Sequence, residues 1–188
     1  PESSWVVPLT TPYGRVYVFY DYNGDEVGHG DPRFAMPDGK AAYRADMLGW
    51  YCYRFSDDGG RTWSPARYRL PMPQAPCDLG NQWNGRIDKP KAAGGAAFFG
   101  FTRLGRWMLE NGEGWLYRSA NVLAERDPGR IAWELLPATG RGIRDERFGS
   151  VQEEHNIVPL DGNAMYCVYR TEMGHPCHSY SADGGRTW

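Results

Sequence analysis

Two short stretches of this 188-residue chain concentrate side chains able to do chemistry. The first, Gln152-Glu153-Glu154-His155-Asn156, sets two carboxylates, an imidazole and two amides directly before the apolar run Ile157-Val158-Pro159-Leu160. Carboxylate and imidazole can be tuned by their neighbours to general acid and base work near neutral pH. Read as the entry to a strand, the stretch turns Glu153 and His155 to one face and Glu154 and Asn156 to the other. Only one of these pairs can line a given site. His155 is the favoured acid/base candidate, Glu154 the next, and Glu153 completes the set.

The second stretch, Arg86-Ile87-Asp88-Lys89-Pro90-Lys91, offers cations beside a carboxylate. Arg presents a planar fork that grips a carboxylate through two parallel hydrogen bonds, and Lys presents a point charge. Arg86, Asp88 and Lys89 are therefore candidates for binding an acidic ligand. Arg170, at the end of the run Tyr166-Cys167-Val168-Tyr169, is a similar candidate, and Arg103 follows Phe101-Thr102 in the same way. His175, Cys177 and His178 form His-x-Cys-His, whose donors suit a soft metal, but without a second cluster they read as a surface turn with a buried thiol. His29, in Gly28-His29-Gly30-Asp31, reads as loop polarity, with a lid over the site as the sharper alternative. No cofactor is implied.

The bulk of the chain limits what these groups can serve. With 41% hydrophobic and 14% aromatic residues it carries enough large apolar groups for a sizeable core. A net charge of −2 argues against sequence-independent binding to nucleic acid, which calls for a basic excess. No apolar run approaches the roughly 20 residues of a membrane-spanning helix. The four cysteines form no CxxC pair and are too sparse for a disulfide scaffold. Cys52 and Cys167 lie in matching apolar runs, where thiols act as small buried hydrophobes.

The elements that must hold the candidates are strands. Val, Ile, Tyr, Trp and Phe cluster in short runs split by Gly and Pro, which favours β over α structure. The runs recur as units. One has runs at Trp5–Leu9, Arg15–Tyr20, Gly49–Phe55 and Arg67–Leu70; another at His155–Leu160, Ala164–Arg170 and Cys177–Tyr180; a weaker copy between them at Ala96–Phe101, Gly114–Ser119 and Ile131–Leu136. Each outer unit ends its third run in the same eight-residue phrase, Ser56-Asp57-Asp58-Gly59-Gly60-Arg61-Thr62-Trp63 and Ser181-Ala182-Asp183-Gly184-Gly185-Arg186-Thr187-Trp188, identical at all positions but Asp57 and Ala182. Ser and Asp can bond the turn's own N–H groups, paired glycines can take positive φ, and Trp supplies an apolar anchor. In the middle unit the phrase has decayed to Ser119-Ala120-Asn121, followed by Asp127-Pro128-Gly129 and Trp133. Standing two units apart, the phrases imply about 62 residues per unit against ~40–50 in compact four-stranded repeats, so insertions such as Asn23 to Asp46 absorb the difference.

The phrase Ser-x-Asp-x-Gly-x-Thr-Trp resembles the Asp box of sialidase-like β-propellers, also called neuraminidase repeat proteins, where it closes the hairpin between the third and fourth strands of a blade. The resemblance implies an all-β partial propeller: about three four-stranded antiparallel blades, near residues 3–70, 86–137 and 151–188, the last incomplete, out of six or seven. About 4–8 blades close a propeller ring, so the remaining blades of a parent chain are expected partners. It places the boxes on the rim and the site at the axis, lined by the innermost strand of each blade. That rule selects Gln152 to Asn156 and Arg86 to Lys91, whereas the first unit offers only Ser3 and Ser4.

Sialidases of this family are expected to carry an arginine triad, a Tyr–Glu nucleophile pair, an Asp acid and an Arg-Ile-Pro motif. This chain has Arg86-Ile87-Asp88 and no Arg-Ile-Pro. The implied function is a carbohydrate-active enzyme, an exo-acting glycoside hydrolase on an acidic or deoxy sugar. A polysaccharide lyase acting on uronic-acid glycans and a non-catalytic propeller that binds glycans or proteins are the alternatives, since fold does not fix function. Extracellular or periplasmic action is the setting the resemblance suggests.

Overall fold

The computed structural model describes residues 2–24, 49–71, 84–103, 112–138 and 140–188. Strands β1 (Glu2–Thr10), β2 (Val16–Asn23), β3 (Trp50–Ser56) and β4 (Tyr68–Arg69) form an antiparallel sheet in chain order. A second sheet runs β5 (Asn84–Ile87), β7 (Ala96–Arg103), β8 (Glu113–Ser119) and β9 (Glu134–Leu136), with β6 (Lys91–Ala93) also pairing with β7. The inner strand of this sheet is split because Pro90, between β5 and β6, has no N–H to give a ladder. The third sheet is β10 (Val151–Pro159), β11 (Met165–Thr171) and β12 (Cys177–Ser181). The insertion from Asn23 to Asp46, with His29, and the region of Cys77 lie almost wholly outside the described residues.

The sheets pack face to face. Alternation along β7 explains how: Ala97, Phe99 and Phe101 join Tyr17, Phe19, Tyr51 and Tyr53 of the first sheet, while Phe98 joins Ile157, Cys167 and Tyr169 of the third. Both faces of β7 are thus covered, so its sequence Ala-Ala-Phe-Phe-Gly-Phe-Thr shows no polar alternation and is buried from Ala96 to Thr102. Between the first two sheets the rings meet at preferred separations, Phe19 lying 4.9 Å from Phe99 and 5.4 Å, edge to face, from Trp133. Cys52 and Cys167 are buried, and burial pushes their thiols up to about 11 and about 12.

The two repeated turns make the same bonds. Ser56 Oγ donates to Asp58 Oδ1 at 2.7 Å and accepts the Gly60 N–H at 2.8 Å, while Asp58 accepts the Thr62 N–H at 2.8 Å and the Thr62 hydroxyl at 2.6 Å. Ser181, Asp183, Gly185 and Thr187 repeat the set at 2.8, 2.8, 2.9 and 2.6 Å. Gly60 and Gly185, at φ 91° and 89°, supply the left-handed backbone that such a turn requires. The middle unit keeps the logic with an amide: Ser119 Oγ bonds Asn121 Oδ1 at 3.1 Å, and the same oxygen takes the Ala132 N–H at 3.0 Å, one residue before Trp133. A 3₁₀ turn at Pro128–Arg130, capped by Asp127, fills the longer excursion.

The one position at which the two turns differ has a structural reason. Asp57 receives both ends of the Arg15 guanidinium, Nε at 2.7 Å and Nη2 at 2.9 Å, and Arg15 Nη1 also donates to the Arg126 carbonyl in the middle unit. Arg15 is buried and lies 4.1 Å over the Phe55 ring. The first turn is therefore tied to the second sheet, a task that Ala182 cannot perform. Asp57 is half exposed, so a fork-to-fork pair there contributes about 1 kcal/mol. Replacing Asp57 by Ala should lower the unfolding free energy by that amount, and Ala182→Asp should leave it unchanged, as read from equilibrium urea unfolding curves.

Candidate functional site

A cleft of about 980 Å³ opens where β1, β5 and β10 come together, and none of the residues of the repeated turns lines it. Each of these inner strands carries a bulge. Register against the neighbouring strand shifts between Ser4 and Val7, between Asn84 and Ile87, and between Val151 and His155. Bulges bend a strand and re-aim side chains, and they recur beside functional sites. In β1 the bulge brings Trp5, Val6 and Val7 to the cleft, with Trp5 at φ 54°, a conformation rare for a bulky residue. The expectation that only Ser3 and Ser4 face the site from the first unit is corrected accordingly: the wall there is apolar.

Arg86, Asp88, Lys89, Glu154, His155 and Arg170 all line the cleft, so the two sequence stretches do meet. The backbone of Glu153 lies in β10, and its side chain is outside the described residues. Arg103 does not reach the cleft and packs over Trp115, 5.2 Å from the ring centroid.

His155 occupies a different environment from that of an acid/base group. Its ring is buried against β7 and β8, and its Nε2 meets the Trp115 carbonyl at 3.0 Å. A carbonyl cannot donate, so Nε2 carries the proton, and Nδ1 accepts the Thr102 hydroxyl at 3.2 Å. Gly100 and Gly114 make room for the ring; a Cβ on Gly100 would stand 2.5 Å from Nε2. Burial lowers the imidazole to about 4, the Trp115 carbonyl only partly opposing it. With both nitrogens engaged, His155 joins the second sheet to the third.

Asp88 is likewise committed to holding strands. Its Oδ1 accepts Asn156 Nδ2 at 2.9 Å and the Lys89 N–H at 2.7 Å, while Oδ2 accepts Lys91 Nζ at 2.5 Å and the Ile157 N–H at 3.4 Å. Its side chain is only 10% exposed. Asp88 thus ties the end of β5 to β10. Glu154 faces the open cleft, as the alternation with His155 requires. Arg86 Nη1 from β5 lies 3.3 Å from its Oε1, and Arg170 Nη1 from β11 lies 3.5 Å from its Oε2.

The turn after β11 supplies groups that sequence reasoning missed. Glu172 lines the cleft and accepts Gln152 Nε2 at 3.1 Å, and exposed His175 lines it on a turn pinned by the Thr171 hydroxyl, which donates to the His175 carbonyl at 2.8 Å. The His-x-Cys-His donors diverge: Cys177 enters the core, His178 lies tilted beside Tyr166 and edge-on to Tyr180, and His175 faces the cleft. Among the described residues no three His, Cys, Asp or Glu side chains are grouped to hold a metal ion, and no helix is long and apolar enough to cross a membrane. Tyr169 also lines the cleft, its hydroxyl pushed up to about 12 by burial.

Neither the family models nor the curated proteins give a match to this chain. Among solved structures it is similar to the Hadza microbial sialidase Hz136, at a TM-score of 0.60 and 14% identity over 99% of this chain and 32% of that one. It is similar also to the α-L-arabinofuranosidase Arb93A of Fusarium graminearum, at 0.55 and 14% over 97% and 46%, and to an α-L-arabinanase of Penicillium chrysogenum in complex with arabinobiose, at 0.52 and 12% over 97% and 47%. The fold is that of a sialidase-like β-propeller, of which the three sheets form a part. The chain spans about a third to a half of the length of these structures.

The state of His155 sets a pH dependence. A histidine kept neutral in the folded chain adds stability that is fully present above the unfolded value near 6.5 and is lost as the pH falls toward about 4, because the unfolded chain takes up the proton first. Asp58 and Asp183, held at about 2 chiefly by the hydroxyls of Thr62 and Thr187, act only below about pH 4. The ratio of folded to unfolded protein should therefore drop roughly tenfold per pH unit between those limits. Urea midpoints measured from pH 7 to 4 should show this slope, and His155→Gln should flatten it. Gly100→Ala, which drives a methyl group into the pinned ring, should cost about 1–3 kcal/mol at pH 7.

Proposed function

We propose that this chain supplies part of the substrate site of a glycoside hydrolase that acts on an acidic sugar, with Arg86 and Arg170 gripping the sugar carboxylate. The observation that carries the reading is their convergence: two guanidinium groups from adjacent sheets approach opposite oxygens of one carboxylate, that of Glu154, inside a cleft. Arg suits this task because its fork matches carboxylate geometry. Lys89, exposed at the same wall, adds positive potential. Trp5 and Val6 provide an apolar wall for a sugar ring. The resemblance to sialidase-like propellers supports hydrolysis as the reaction, and the sialidase and arabinofuranosidase among the similar structures are consistent with a carbohydrate substrate.

In this reading Glu154 is taken up by the two arginines, which leaves Glu172 as the carboxylate within the cleft available for acid or base work and His175 as the available imidazole. His155 and Asp88 position the strands that carry them. Elimination across a uronic acid, the lyase alternative, needs a base such as His or Tyr; His155 is engaged at both nitrogens and Tyr169 is held protonated, so that chemistry would fall to His175.

The test compares 4-methylumbelliferyl glycosides of N-acetylneuraminic acid, glucuronic acid and arabinofuranose with the protein that carries this chain. Turnover of an acidic glycoside is expected, with Arg170→Ala or Arg86→Ala raising its KM about tenfold, the lower range for a lost charged hydrogen bond at an exposed site. Turnover of the neutral arabinofuranoside alone, indifferent to both substitutions, would contradict the reading. Release of an unsaturated product absorbing in the near ultraviolet from a uronate polymer would move it to the lyase class.

A further inference from the structure

The same cleft shows how its charge is balanced before a ligand arrives. Arg86 and Arg170 come from different sheets, and their like charges meet across the carboxylate of Glu154, at 3.3 and 3.5 Å. The three side chains remain open to solvent, 61%, 61% and 47% exposed. Exposed ion pairs of this kind contribute only about 0–1 kcal/mol each, because water screens them and the long side chains lose freedom. The contrast with Asp88 is instructive: that carboxylate is 10% exposed and receives four hydrogen-bond donors, so nothing entering the cleft could displace it. Glu154 is held by two weak pairs alone among the described contacts, and it lies on the cleft face of β10.

We propose that Glu154 is a built-in competitor, its carboxylate occupying the place that a ligand's carboxylate takes between Arg86 and Arg170. This rests on the reading of those two arginines as an anion grip. Entry of a monocarboxylate ligand exchanges one carboxylate for another at the same pair of forks, and Glu154 swings into solvent with no buried charge left behind. Binding is then weaker than two arginines would otherwise give, by the strength of the pairs that must first be broken. The cleft takes a ligand whose carboxylate has a negative charge and two oxygens in the geometry of Glu154; a neutral sugar gains nothing from the exchange and leaves the internal pairing intact.

The experiment measures binding of free N-acetylneuraminic acid and free glucuronic acid by calorimetry to the wild-type protein and to Glu154→Gln, Arg86→Ala and Arg170→Ala, each checked for an unchanged melting temperature. Glutamine keeps the size of the side chain and removes the charge. If Glu154 competes, Glu154→Gln tightens binding of an acid about three- to fivefold, the scale of the exposed pairs it removes, while either arginine substitution weakens it. Should Glu154→Gln weaken binding while the arginine substitutions also weaken it, the grip stands and Glu154 is its positioning group, which overturns the competitor role. Binding that ignores both arginines, or none by any variant, overturns the grip itself and the competitor role with it.

Discussion

The arrangement depends on sheet faces that cannot be left in water. β7 carries Phe99 and Phe101 on one side and Phe98 on the other, and a single sheet gives neither side a cover. Burial of large rings contributes roughly 1.5–3 kcal/mol each, so stacking three sheets face to face is the arrangement that satisfies them together. Stacking then brings the inner edges of β1, β5 and β10 side by side, and whatever those edges carry must share one space. The cleft is a consequence of the packing.

Polar groups refine what the apolar faces begin. His155 fits between the second and third sheets only because Gly100 and Gly114 lack side chains, and its two bonds fix the height at which β10 meets β7. Asp88 does the same at the inner edge, binding Asn156 and the Ile157 N–H. These two groups set the distance across which Arg86 can reach Glu154. Outside the cleft lining, Asp57 holds Arg15, which donates to the Arg126 carbonyl and so joins the first unit to the second. Titratable residues serve three separate ends here: joining sheets, closing turns and facing the cleft.

The sequence displayed its local features and hid its distant ones. The Ser-to-Trp turns were legible because all their bonds fall within the phrase, Ser56 to Gly60 and Asp58 to Thr62. The strand runs were legible for the same reason, as was the opposition of His155 to Glu154, which follows from strand geometry. What decides the role of His155 lies more than 50 residues away at Gly100 and Thr102, and no pattern near His155 announces it. The bulges that turn Trp5 toward the cleft leave no mark in composition, and Glu172 and His175 looked like parts of an ordinary turn. Arg86 and Arg170 could be suggested from residue type, but only the pairing of β10 with β11 and its approach to β5 brings them to one carboxylate.

The proposed grip consists of two arginines from neighbouring sheets acting on one ligand carboxylate. The most direct measurement is a crystal structure of the protein soaked with a carboxylated monosaccharide. The sugar carboxylate is expected within hydrogen-bonding distance of both Arg86 and Arg170, with His155 unmoved beneath them. A sugar held elsewhere in the cleft, or Arg86 and Arg170 directed apart in the liganded protein, would contradict it.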